Sequence, residues 1–158
     1  FHLRIESREV STMLDRAIGQ VERHNPPLDV TFVRNYDPGV PAADFDAELM
    51  EQVFVNLLMN AAQASPAGSV VTVKTRADEQ AVEVAVIDRG SGIEPKNRAN
   101  IFNPFFTTKQ EGVGLGLAIV AKIVDEHRGH ISVESEPGQG SVFRVQIPRK
   151  QEQNGQEA

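Results

Sequence analysis

From Glu9 onward the apolar residues Val10, Met13, Leu14, Ala17, Ile18 and Val21 recur at three- and four-residue steps. That period places them on one stripe and predicts a helix, which Pro26 and Pro27 cannot continue. A second stripe, Leu49, Met50, Val53, Phe54, Leu57, Leu58 and Ala61, predicts a helix from Ala47 to about Ser65, capped by Asp46 and stopped by "SPAG". A third helix is expected from about Leu115 to His127, with Gly129 as its C-terminal cap. Between them lie runs with a strand pattern: Val30 to Tyr36, Ser69 to Ala77, Ala81 to Asp88, His130 to Glu136 and Ser141 to Pro148. His2 to Ser7 reads as a further short strand, and Pro95 suits the first turn of a short helix ending near Phe102. "DPGVP" and "PGQG" read as turns. Strands interleaved with one-sided helices predict an α/β sandwich with its helices on one sheet face.

Composition narrows the function classes. The chain has 158 residues, 40% of them hydrophobic and 24% charged, which suits one globular domain. It contains no cysteine, so disulfides and thiolate metal sites are excluded. The formal net charge is −6, which makes it a poor general ligand for nucleic acid or an anionic membrane. No apolar run is long enough to cross a bilayer, and "FHLRIESREV" lacks a signal-peptide pattern. A polyphosphate would be repelled at long range, so a nucleotide site here needs helix dipoles, a divalent metal and local cations.

Three segments could carry such chemistry. In "TTKQEGVGLGLAIV", Gly112, Gly114 and Gly116 run into a helical pattern. Bare backbone N–H groups at a helix start suit phosphate. The spacing nevertheless differs from the dinucleotide fingerprint and the Walker lysine loop, and simple flexibility remains open. In "QVFVNLLMNAAQAS", Asn56 and Asn60 are four residues apart and share a face beside the apolar stripe. They read either as surface polarity or as amides aimed into a cleft, where an amide oxygen suits magnesium. In "VEVAVIDRGSGI", a strand delivers Asp88 to a turn at Gly90 and Gly92. That aspartate fits an ordinary Asp–Gly turn, or a carboxylate accepting from an exocyclic amine such as that of adenine.

Taken in order, the segments resemble a family. "NLLMNAAQA" is similar to the N box, "DRGSGI" to the G1 box, "IFNPFFTTK" to the F box and "GVGLGLAIV" to the G2 box of the sensor histidine kinase catalytic domain. "PGQGSVFRVQIP" resembles that family's closing glycine turn and last strand, and "PFFTTK" with a short lid is most similar to the nitrogen-regulatory subgroup. The resemblance spans about Val10 to Arg149. It implies the Bergerat ATP-binding fold of the gyrase-type ATPases and Hsp90 chaperones. That fold is a two-layer α/β (α+β) sandwich, a mixed sheet of about five strands with three main helices on one face.

The same resemblance implies ATP and Mg²⁺ as ligands. Asp88 would bind the adenine amine, Asn60 would hold the metal, and Asn56 would sit nearer the phosphates. Lys109 joins Asn56 and Asn60 in the catalytic set. Around the nucleotide the expected contacts are Gly90, Gly92, Ile93, Phe102, Thr107, Thr108, Gly112, Gly114, Leu115, Gly116, Leu117 and Ser141. Backbone N–H groups near Gly114, Leu115 and Gly116 would meet the terminal phosphates, and Lys109 with the following loop would form the lid. Residues 1–8 would end a linker from a dimerisation and phosphoacceptor domain, 9–149 would be the catalytic domain, and 150–158 a disordered tail. The implied partners are that acceptor domain, in a parent homodimer, and a response regulator. The implied compartment is the cytoplasm, with no direct membrane contact by this fragment and no nucleic acid.

Some residues depart from the pattern or stay outside it. Gln63 stands where a basic residue is frequent, and Lys109 is a candidate substitute. Asn56 occupies the position where gyrase-type ATPases place a glutamate that activates water. None of His2, His24, His127 and His130 has the setting of a phosphoacceptor, and His127 and His130 read as structural. Phe105 and Phe106 read as mixed lid and core anchors, and Lys96 and Arg98 as solvated charges.

Overall fold

The computed structural model describes residues 2–103 and 113–151. Its elements are β1 (Glu6–Arg8), α1 (Val10–Glu22), β2 (Val30–Tyr36), β3 (Ala43–Phe45), α2 (Ala47–Ala64), β4 (Ser69–Ala77), β5 (Ala81–Asp88), α3 (Pro95–Arg98), α4 (Val113–Glu126), β6 (His130–Ser135) and β7 (Ser141–Pro148). Five strands form one sheet in the order β2-β4-β5-β7-β6. β2 runs parallel to β4, and every other neighbour is antiparallel. β1 and β3 form a separate two-stranded ribbon at the chain entrance.

Alternation divides the sheet into two faces. Val71 and Val73 of β4, Val82, Val84 and Val86 of β5, and Phe143, Val145 and Ile147 of β7 point one way and are buried. Against them lie α1, α2 and α4, whose stripes Val10–Val21, Met50–Ala62 and Leu117–Val124 complete the core. Each large side chain removed from water there contributes roughly 1.5–3 kcal/mol. The opposite face is polar. Arg76 Nε, at 3.0 Å, and Gln146 Nε2, at 3.1 Å, both donate to Glu83. Burial pushes the Glu83 carboxyl up, but those donors with the charges of Arg76 and Arg144 hold it below the usual range. α1 is tied to the edge strand β2 through Asp15, which accepts from Arg34 Nε and from the Tyr36 hydroxyl, each at 2.8 Å.

The α/β sandwich with helices on one face is therefore as the periodicity predicts. Some details are corrected. β3 carries no sequence signal, and β1 lies later than the expected His2 to Ser7. α4 begins at Val113 rather than Leu115, which brings Gly114 and Gly116 inside its first turns. The left-handed residue after α4 is Arg128, with φ 60°, and not Gly129. Gly129 is required for a different reason: a Cβ there would meet the Gln146 carbonyl oxygen at 2.3 Å.

Candidate functional site

Three adjacent strands end in a polar row. Asp88 pairs with Ser141, and Ser141 with Ser135, all on the helix-facing side of the sheet. Asp88 is 5% exposed. Its Oδ1 accepts from the Gly90 N–H at 2.8 Å, and the carboxylate also accepts from the Ser141 backbone N–H. Burial pushes its carboxyl above the ordinary aspartate value, against the opposing pull of those two N–H donors. A buried acceptor held from behind by its own loop is presented forward to one further donor.

The loop after Asp88 is fixed by backbone contacts too close for any side chain. A Cβ on Gly90 would meet the Ala64 carbonyl oxygen at 2.4 Å. Gly92, at φ +78°, would meet the Glu136 carbonyl oxygen at 2.1 Å, and Gly140, at φ +81°, would meet the Asp88 carbonyl oxygen at 2.1 Å. Ser135, absent from the expected site, is the tie between them. Its hydroxyl accepts from Ile93 N–H at 2.8 Å, donates to Gly140 O at 3.0 Å and lies 2.9 Å from the Ser141 hydroxyl. Gly138 N–H donates to Ser91 O at 2.7 Å. Arg98, expected as a solvated charge, instead donates from Nη1 to the Ser135 carbonyl at 2.8 Å. Gly140→Ala is therefore expected to cost about 3 kcal/mol in a urea titration, since strain and clash act together. Gly68→Ala is the comparison: it also has positive φ, but a Cβ there meets nothing within 4 Å.

α2 brings the amides to this loop. Asn56, Asn60 and Ala64 follow at four-residue steps along one face, and Ala64 is the residue that meets Gly90. Asn60 therefore sits one helical turn from the Asp88 loop, roughly 6 Å along the axis. Both asparagines are partly buried. Among the described residues the buried Asn60 Nδ2 has no hydrogen-bond partner. An orphaned buried amide costs about 1–3 kcal/mol, so the side chain is maintained against stability. Gln63 is exposed.

α2 and α4 pack antiparallel, so the glycine end of α4 lies toward the same end of the layer as Asn60. The first N–H groups of any helix lack intrahelical acceptors, and α4 therefore offers donors around Gly114 and Leu115. The Leu117 side chain belongs to the core at 4% exposure. Phe102 is half-buried and meets Phe143 edge to face, with centroids 6.3 Å apart. Phe105, Phe106, Thr107, Thr108, Lys109 and Gly112 lie outside the described residues. A cleft of about 600 Å³ beside the serine knot is lined by Arg89, Arg98, Glu134 and Val142 among others. Asp88 and Ser141 line it too, whereas neither asparagine does. Among the described residues no group of three histidines or carboxylates is arranged to hold a metal.

The chain has relatives among known proteins. A family profile described as "Histidine kinase-, DNA gyrase B-, and HSP90-like ATPase" matches residues 45–151. Sensor histidine kinase ZraS of Escherichia coli K12 is 33% identical over 147 residues, covering 93% of this chain and 32% of that protein. Sensory histidine kinase/phosphatase NtrB of Rhodobacter capsulatus is 40% identical over 129 residues, covering 73% and 36%. This chain thus spans about a third of the length of those two relatives. Among solved structures, the catalytic domain of histidine kinase ThkA superposes with a TM-score of 0.83 at 29% identity, covering 93% of this chain and 99% of that one.

Proposed function

The chain belongs to the histidine kinase-, DNA gyrase B- and HSP90-like ATPase family, and on that premise we propose that it is the ATP-binding catalytic part of a sensor histidine kinase. The observation that carries the reading is the Asn60 amide nitrogen, buried and unpartnered among the described residues one turn from the loop of Asp88. Kinase-named relatives that align over most of this chain support it.

In this reading Asp88 accepts from the adenine 6-amino group. Its carboxylate is held by Gly90 and Ser141, so little reorganisation is needed on binding. Asn56 lies one turn before Asn60 and faces the phosphates, and the start of α4 supplies backbone N–H groups to their terminal oxygens. The Asn60 amide suits a Mg²⁺ ion, because an amide oxygen is a neutral hard donor. When bound, the metal neutralises phosphate charge. Lys109 adds a cation from the lid.

The reaction is phosphoryl transfer to an acceptor imidazole on a separate dimerisation domain. A nitrogen–phosphorus bond forms as the bond between the γ-phosphorus and the β,γ-bridging oxygen breaks, and ADP leaves with its electron pair. The residues act by alignment and charge neutralisation. Asn56 cannot act as a general base at neutral pH. The α2 carboxylates Glu48 and Glu51 lie at its opposite end, with Glu51 accepting from Arg16 Nε at 3.1 Å. Hydrolysis by a water-activating carboxylate of α2 is therefore disfavoured.

The parent would be a homodimer joined through its acceptor domain, passing the phosphoryl group to a response regulator. Its catalytic part would lie in the cytoplasm. No helix among the described residues is long and apolar enough to cross a membrane. The test combines this chain, labelled ATP with Mg²⁺, and the parent's dimerisation domain made separately. Acid-labile label is expected on the acceptor only when both proteins are present. Steady phosphate release by this chain alone, with no labelled acceptor, would establish an ATPase instead.

A further inference from the structure

His127 is fully buried at the end of α4. Both ring nitrogens are committed. Nδ1 lies 2.8 Å from the Ile123 carbonyl, and Nε2 lies 3.0 Å from the Asp46 backbone N–H. A carbonyl only accepts and an N–H only donates, so the ring is neutral with its proton on Nδ1. Asp46 is itself the cap of α2: its Oδ1 accepts from Leu49 N–H at 3.0 Å. Its Oδ2 takes the Arg4 N–H of the incoming segment at 2.8 Å. The outgoing segment reaches the same place, where Gln151 Nε2 donates to the His127 carbonyl at 2.6 Å.

This junction joins the far ends of the two helices that bear the candidate site. From Asp46 to Asn60 along α2, and from His127 back to Gly114 along α4, the distance is about 20 Å each way. We propose that His127 is a positioning residue for the nucleotide site, its neutral ring locking the end of α4 to the start of α2 and so fixing how their opposite ends meet the nucleotide. The inference rests on the nucleotide reading given above. A proton on Nε2 would set two donors against each other and release the Asp46 N–H.

The charged groups facing the ring are Asp46 at the α2 cap and Glu126 on α4, and both favour the imidazolium. The Ile123 carbonyl does too, but burial outweighs them and holds the imidazole below its ordinary value. From the entering and leaving segments come only neutral groups, the Arg4 N–H and the Gln151 amide, on Asp46 and on the His127 carbonyl. The sign follows. Stability from the neutral ring is complete above the unfolded value of 6.5 and is lost as pH falls through the lower folded value.

The experiment is calorimetric titration of ATP with Mg²⁺ into the parent, His127→Gln and His127→Leu, from about pH 8 to about pH 5.5. Circular dichroism confirms folding at each point. At the alkaline end His127→Leu is expected to bind about tenfold more weakly. His127→Gln, which keeps an acceptor for the Asp46 N–H but cannot be protonated, should recover most of that loss. Toward acid the parent should lose several-fold more affinity than the glutamine variant, while titration of ATP itself cancels between them. Superposed profiles for parent and His127→Gln would overturn the proposal, as would parent-like binding by a folded leucine variant. If the leucine variant does not fold, the glutamine profile decides. A parent that binds no ATP at any pH would overturn the nucleotide reading and this inference with it.

Discussion

Asp88→Asn is expected to weaken ATP binding about a hundredfold or more, equivalent to about 2.7 kcal/mol, while the nucleotide-free protein melts within a few degrees of the parent. The affinity loss follows from reversing one dipole: an amide nitrogen would face the adenine amine where, in the proposed site, a carboxylate accepts it. Stability behaves differently because the carboxylate is buried and its pKa is raised by that burial. A raised value means that stability is fully present below the unfolded aspartate value and is lost as pH rises through the folded one. Removing the charge removes that loss, set against a poorer match to the Gly90 and Ser141 donors. The measurement is paired: ATP calorimetry, and thermal melts of the free protein from mildly acidic to neutral pH. Unchanged ATP affinity would end the adenine assignment. A collapse of the fold would make Asp88 a structural residue first.

Asn60→Ala should separate the same two quantities further. The difference between ATP affinities with and without Mg²⁺ is expected to disappear, because no other amide or carboxylate stands one turn from the Asp88 loop on that face of α2. The nucleotide-free protein should gain about 1 kcal/mol. An orphaned amide is removed and alanine favours helix, with a small loss of packing in return. Titrations with and without metal, together with urea unfolding, test both halves. A persisting Mg²⁺ effect would take the metal away from Asn60. Lower stability would mean that the amide has a structural duty in the free protein.

Most elements were legible because they are long enough to display a period. The stripe Val10 to Val21 and the stripe in α2 are buried as their spacing requires, and β2, β4, β5 and β7 have the ends that their runs predict. β3 was not legible and β1 reads too early, at His2 to Ser7, since three residues cannot establish a period of two. The polar anatomy was legible only in part. Asp88, Gly90 and Gly92 stand together in sequence, so their turn could be read. Ser135 could not, because its role depends on a hydroxyl meeting Ile93, Gly140 and Ser141 through the β5–β7–β6 register. Arg98 looked solvated for the same reason. His127 read as structural, correctly, but its partner lies 81 positions away in the chain, and no local pattern links them. Gly129 misled because a glycine after a helix usually supplies the left-handed residue, whereas here Arg128 does so and the glycine clears space.

One feature of the sheet bears on how the molecule is made. β2 and β4 are parallel neighbours, and the chain between them must travel the length of the sheet and return, which it does through α2. Closing so long a span costs chain entropy before any ladder bond offsets it. The β2–β4 pairing is therefore a long-range contact of the fold, and α2 is the main element of the span that bridges it. The segment that hosts the Asn60 amide, unpartnered among the described residues, is thus also the crossover on which the parallel pair depends.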